Sequence, residues 1–228
     1  MPYIVKYVGI LLILLSLSAC NSVQNTQIKN DENTKIQTAK INTKLGIAYL
    51  ERRDTIRAKK KLLLALRQAP NIPEPWYSMA YFLEATGDPQ TANTYYLKAI
   101  ALAPERGDSQ NNYGTYLCRN GAYKTSISHF DLATKDPNYT NPADAFENAA
   151  ACAMKIPNYA QAHYYFQRAI RYDEARPLSL ISLAELNFMK KNYKQSHIFL
   201  KRFLIISPPT KQSKILMEKL LQVTNVST

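Results

Sequence analysis

Long stretches of alternating apolar and polar residues are missing from this chain, and glycine is scarce, with six in 228 residues. Without that alternation there is no pattern for sheets with one solvated face, and the abundance of Ala, Leu, Lys and Tyr reads as helical. Catalytic arrangements are missing too. There is no Ser-His-Asp set, no HExxH and no glycine-rich loop to cradle phosphate. Carboxylates such as Glu74, Asp108 and Glu147 therefore read as solvated or ligand-facing, and neither an enzyme activity nor a cofactor is expected. Acidic residues are the minority, 17 against 29 Lys and Arg, which leaves a formal charge of +12. The surplus is spread along the chain, densest at 57–61.

Near the start, Lys6 precedes an apolar run over 8–17 interrupted only by Gly9 and Ser16, followed by Ser18-Ala19-Cys20. That layout is the one of a bacterial secretion signal and is short for a membrane span. Ser18-Ala19-Cys20 resembles the lipobox of bacterial lipoproteins. The resemblance implies a signal peptide over 1–19, a mature chain starting at a lipidated Cys20, and attachment to a membrane through that lipid. Asn21, where inner-membrane lipoproteins usually have Asp, implies the periplasmic face of the outer membrane. An uncleaved anchor over 3–19, or an ordinary signal peptide containing Cys20, stays open. A secreted protein seldom meets nucleic acid, so the basic balance points to a solvated surface with weak attraction to anionic lipid or an acidic partner. Residues 21–38 are mostly Asn, Gln, Thr, Lys and Asp with few sizeable apolar side chains, Val23 and Ile28 among them, so 20–38 is expected to be a flexible tether.

Self-similarity organises the rest. Gly46, Ala80, Gly114, Ala150 and Ala184 recur at intervals of 34, 34, 36 and 34. Twelve residues after each stands another small side chain: Ala58, Ala92, Ser126, Ala162, Ser196. Four further on come Leu62, Tyr96, Phe130, Phe166 and Leu200, and three beyond those Ala65, Ala99, Ala133, Ala169 and, breaking the series, Phe203. This register resembles the tetratricopeptide repeat, in which two antiparallel helices cross closely where small residues meet. The expected fold is all-α: a right-handed superhelix of about five helix pairs at 39–72, 73–106, 107–142, 143–176 and 177–210. Ile215, Leu216, Lys219 and Leu220 mark a C-terminal capping helix over 211–223.

In such superhelices the first helix of each pair lines the groove. That places Ile47, Leu50, Tyr77, Tyr81, Asn111, Thr115, Arg119 and Glu147 as candidate partner-binding residues, with packing between layers as the alternative. Cys118 and Cys152 stand two motif positions apart on neighbouring first helices, roughly 200° around a helix, which allows them to face each other. In an oxidising compartment a disulfide is expected, the alternative being two buried thiols. His129, His163 and His197 fall 34 apart, but residues one repeat apart sit on separate layers, too far for one ion, so no metal site is expected.

One segment supports a more specific comparison. Asn111-Asn112-Tyr113-Gly114, Leu117-Cys118, Gly121, Tyr123, Phe130, Pro137, Tyr139 and Pro142 are followed by Glu147-Asn148-Ala149, Cys152, Ala162, Tyr165-Phe166, Arg168-Ala169, Leu183-Ala184, Tyr193 and Lys201-Arg202. Together they resemble the PilF/PilW lipoproteins of type IV pilus biogenesis over about 44–208. Ala150-Ala151 depart from the Gly-Leu expected there. The resemblance implies a pilotin-like partner of the outer-membrane secretin of the type IV pilus, monomeric by itself, that helps the secretin reach the membrane and multimerise. Other readings are a general lipoprotein scaffold for envelope assembly or an activator of a cell-wall hydrolase.

Overall fold

The structure, a computed structural model, describes residues 30–225. The expected signal peptide and Cys20 lie outside them. Every described element is a helix: α1 at 30–51, α2 Thr55–Gln68, α3 Pro73–Ala85, α4 Pro89–Leu102, α5 Gly107–Arg119, α6 Tyr123–Ala133, α7 Pro142–Lys155, α8 Tyr159–Tyr172, α9 Pro177–Met189, α10 Tyr193–Ile206 and α11 Lys211–Asn225. The described residues form two compact units, which divide between Tyr95 and Tyr96.

The expected tether needs correcting where it can be compared. Residues 30–38 are helical and continue into the first repeat. Ile36 and Ala39 account for this, because they pack against Ala65, Ala69 and Ile72. Lys35 adds an i,i+4 ion pair with Asp31 at 2.6 Å, of modest worth on an exposed face. A polar composition hid the one apolar contact that 30–38 makes, through Ile36.

The helix pairs are built around the small residues. Ala58, Ala92, Ser126, Ala162 and Ser196 are all fully buried, and the large residues four positions later are nearly so. The approach is tight. A Cβ on Gly46 would lie 2.6 Å from Leu62 Cγ, and one on Gly114 would lie 2.9 Å from the Phe130 ring. Where serine replaces alanine, its hydroxyl donates across the pair: Ser126 Oγ to the Gly114 carbonyl at 2.7 Å, Ser196 Oγ to that of Ala184 at 2.8 Å. A buried hydroxyl so satisfied costs little.

The turn inside each pair repeats as well. Arg53 (φ 60°), Gly87 (93°), Gly121 (83°) and Lys191 (58°) occupy one step in the left-handed region, with Pro157 at the matching step of the fourth pair. The next residue caps the second helix. Asp54, Asp88, Asn158 and Asn192 accept the backbone N–H groups of Arg57, Thr91, Gln161 and Gln195. Ala122 has no such acceptor. Pro73, Pro142 and Pro177 open first helices, where a missing N–H costs nothing.

In the first unit Ala58, Leu62, Met79 and Phe82 form the core, flanked by Ile47, Tyr49, Leu50 and Leu66. In the second, one continuous core runs from Ile127 to Leu220. α11 seals it with Leu216 and Leu220 and leaves Ile215 and Leu221 outward. Cys118 and Cys152 are joined by a disulfide, with Cα atoms 5.9 Å apart, between α5 and α7. Closing a 34-residue loop stabilises the fold by about 3–4 kcal/mol on chain-entropy grounds.

The crossing can be tested at one atom. Gly46→Ala should cost about 1–3 kcal/mol, because Leu62 must be displaced. Gly121→Ala, whose Cβ meets nothing within 4 Å, should lose only the roughly 1 kcal/mol of a left-handed backbone. Denaturant unfolding of both variants compares the two costs, and equal losses would show that the crossing is not sterically tight.

Candidate functional site

In the first unit, α1 and α3 enclose a groove of about 580 Å³. Ile47 and Tyr77 line it, both half-buried, together with Thr43, Ala48 and Ser78. Its rim carries both signs: Lys40 and Lys44 on α1, Glu51 at the end of α1, and Glu74 on α3. Lys40 Nζ stands 3.9 Å from Glu74 Oε1, a loose pair on a partly solvated edge. Such a cleft suits a peptide segment with an apolar side chain or two and charges of either sign beside them.

The candidates do not all share this groove. Leu50 packs onto the Ala58, Leu62, Met79 and Phe82 core instead, which is the packing alternative realised. Tyr81 is 40% exposed on α3 and outside the groove's lining. Lys40, Lys44, Glu51 and Glu74 were not singled out as groove residues from the sequence. A signal existed: Lys40, Lys44, Ile47 and Glu51 follow the i, i+4, i+7, i+11 spacing of one helix face. All four lie within the first repeat expected at 39–72.

In the second unit, Asn111 and Thr115 on α5 are brought together with Asn148 on α7. Asn148 Nδ2 donates to Asn111 Oδ1 at 3.1 Å and lies 3.5 Å from Thr115 Oγ1, whose hydroxyl donates to the Asn111 carbonyl. These side chains join neighbouring repeats with a polar contact at their edge. Arg119, at the end of α5, is exposed.

Glu147 has a different task from the one expected. Its Oε1 accepts from Arg176 at 2.7 Å, and its Oε2 accepts from the Ser179 backbone N–H at 3.1 Å and hydroxyl at 2.5 Å. Ser179 lies in the first turn of α9, so Glu147 caps that helix from the preceding repeat and places a negative charge where the helix dipole favours one. Arg176 also pairs with Asp144 at 2.8 Å, and its contacts with these carboxylates hold the guanidinium above its ordinary range despite burial. Both carboxylate oxygens are committed within the fold.

Two of the three histidines are held within the fold, while His197 is exposed. His129 Nδ1 is 2.6 Å from Gln110 Oε1, which can only accept. Asn187 Nδ2 lies 3.3 Å from His163 Nε2, which must then be the acceptor. Burial lowers the pKa of both, and Lys190 lowers that of His163 further. Among the described residues no group of three His, Cys, Asp or Glu is placed to hold a metal ion.

Comparison with known proteins bears on what this arrangement serves. The tetratricopeptide repeat family model matches residues 77–140. Type IV pilus assembly protein PilF of Pseudomonas aeruginosa is 25% identical over 185 residues, which cover 81% of this chain and 73% of that protein. The solved structure of P. aeruginosa PilF superposes with a TM-score of 0.78 at 24% identity, over 84% of this chain and 86% of that one. The crystal structure of PilW, a widely conserved type IV pilus biogenesis factor, gives 0.71 at 22% identity over 83% and 87%. The chain thus carries a tetratricopeptide match at 77–140 on a fold of paired helices, and its similarity to PilF and PilW extends over most of its length.

Two outcomes follow from this geometry. Glu147→Gln should destabilise the protein by about 1–3 kcal/mol, since it leaves Arg176 only its more exposed partners Asp144 and Asp173 and weakens the α9 cap; an unchanged melting temperature would return Glu147 to the candidate partner-binding residues. Acidification should weaken the fold through the histidines. A His pKa held below its unfolded value of 6.5 leaves stability whole above about 6.5 and removes it as pH falls through the lower folded value. The slope of melting temperature between pH 7 and 5 should be shallower in His129→Gln/His163→Gln.

Proposed function

We propose that this protein is a non-enzymatic scaffold of type IV pilus biogenesis. It works at the periplasmic face of the outer membrane, anchored by lipid on Cys20, and assists the pilus secretin to localise there and to multimerise. The observation that carries the reading is the likeness to PilF, a type IV pilus assembly protein, along 81% of the chain, on a shared paired-helix fold. The groove between α1 and α3 supports it physically. Ile47 and Tyr77 offer apolar area, Tyr77 adds a hydroxyl at low entropic cost, and the rim of Lys40, Lys44, Glu51 and Glu74 orients a charged peptide. The secretin segment is read as the occupant of this groove.

Tyr77→Ala with Tyr81→Ala should weaken secretin binding by about 2–4 kcal/mol if both are anchors. Because Tyr81 is exposed and Tyr77 faces the groove, the melting temperature should move far less than binding does. The deciding measurement is the amount of heat-resistant secretin multimer in cells carrying the folded double variant. Undiminished multimer with normal piliation removes these tyrosines from the mechanism. Equal multimer in cells lacking the protein altogether removes the secretin reading.

A further inference from the structure

The outer face of α2 has no role in the groove or in the core. Ala58, Leu62, Ala65 and Ala69 form its buried stripe at i, i+4, i+7 and i+11. On the opposite side the same spacing carries Ile56, Lys60, Leu63 and Arg67, apolar and cationic in turn. Ile56 is 84% exposed, the most solvated large apolar residue among those described, and Leu63 is 38% exposed. Lys59 flanks the stripe, and Arg52 and Arg53 stand exposed on the turn just before the helix. Between 52 and 67 there are seven basic residues and one acid, a surplus of six within a net charge of +12. That one acid, Asp54, is already engaged as the helix cap and ion-paired with Arg57.

We propose that this face of α2, with the turn before it, docks onto a bilayer surface that carries anionic phospholipid. The chemistry fits on both counts. Lys and Arg ammonium and guanidinium groups donate to lipid phosphodiesters and gain from the negative surface potential, while Ile56 and Leu63 enter the boundary between headgroups and acyl chains. A helix with basic residues alternating with aliphatic ones along one exposed stripe is the arrangement that such a surface selects. An acidic protein would be the other class of partner for these charges. It is disfavoured because residues 52–67 contain no aromatic side chain, whereas protein hot spots are built on Trp, Tyr and Arg seated in pockets. Lipid headgroups ask for no such pocket. The inference stands independently of the secretin reading and of lipidation at Cys20, since it concerns only what α2 presents.

The test places a reporter at the tip of the stripe. Ile56→Trp in the full chain is mixed with vesicles whose phosphatidylglycerol, about 30 mol %, bears brominated acyl chains that quench indole fluorescence on contact. Trp76, the chain's one tryptophan, gives the background, measured in the unsubstituted protein. All other residues are common to both, so attraction of the N-terminal segment to lipid cancels. Quenching of the new indole should exceed the background severalfold, should be slight in brominated phosphatidylcholine alone, and should collapse at about 0.5 M salt. Lys59→Glu/Lys60→Glu in the same chain should raise the lipid concentration needed by roughly tenfold or more. The salt arm needs no charge reversal, so misfolding of that variant would leave the test intact. Quenching no greater than that of the unsubstituted protein overturns the proposal, and is the result expected if an acidic protein is the true occupant. Quenching indifferent to lipid charge overturns it equally.

Discussion

The close approach of two helices at one pair of small residues, twelve positions apart, is the constraint from which the rest of the fold follows. With Gly46 beside Leu62 and Gly114 beside Phe130, no atom can be added at the crossing without moving a neighbour. Apart from the longer α1, the helices have 11 to 15 residues and are marginal in isolation, so the paired ones acquire stability by burying this face. Once the crossing is tight, the large residue four positions later has only one place to go, and it becomes fully buried in every repeat. The turn must then close over few residues, which drives Arg53, Gly87, Gly121 and Lys191 into the left-handed region. Glycine supplies that conformation freely in two of the turns; in two others a long basic side chain tolerates it because it points to solvent.

How much was legible depends on whether a residue repeats. The paired helices and the packing positions recur every 34 to 36 residues, and the repetition exposed them even though each instance is weak. The helix caps also recur, at Asp54, Asp88, Asn158 and Asn192, and could have been found one residue after the turn. The early start of α1 was hidden because 30–38 contacts the core through little more than Ile36, a single apolar residue in a polar stretch. Leu50 and Glu147 were assigned to the groove from repeat position alone. Position fixes which side of a helix a residue occupies, but a long side chain reaches beyond that side. Leu50 turns into the core that α2 shares with α3, and Glu147 stretches to Arg176 and the first turn of α9, which offer better partners than solvent.

Polar joints of this kind give the second unit its order. An apolar contact between repeats is tolerant of sliding, whereas a carboxylate that must meet Arg176, the Ser179 N–H and the Ser179 hydroxyl at once allows one register. Asp136 does the same for the first turn of α5 by accepting the Gly107 N–H at 2.8 Å. Tyr165 donates its buried hydroxyl to Asp131 at 2.8 Å, across from α8 to α6. The Cys118–Cys152 bond adds a covalent joint between α5 and α7, the same two helices that Asn111 and Asn148 link. Apart from the Asp136 contact, which closes one pair on itself, each joint spans adjacent repeats, so the register of the unit is set locally and repeatedly, as a linear array requires.

The first unit shows how the repeat keeps two surfaces apart. In a helix pair the first helix presents one stripe to the groove while the second presents its free stripe away from the partner it crosses. In α1 the groove stripe is Lys40, Lys44, Ile47 and Glu51, of mixed charge. In α2 the free stripe is Ile56, Lys60, Leu63 and Arg67, of one sign only. The difference matters electrostatically: a mixed rim orients a specific peptide, whereas a single-sign face responds to any extended anionic surface. Because α2 spends its other side on Ala58, Leu62 and Ala65, fully buried against the pair, contact through its free stripe leaves the lining of the α1–α3 groove untouched. A chain held by α2 can therefore still receive a peptide between α1 and α3, and neither contact has to be released for the other to form.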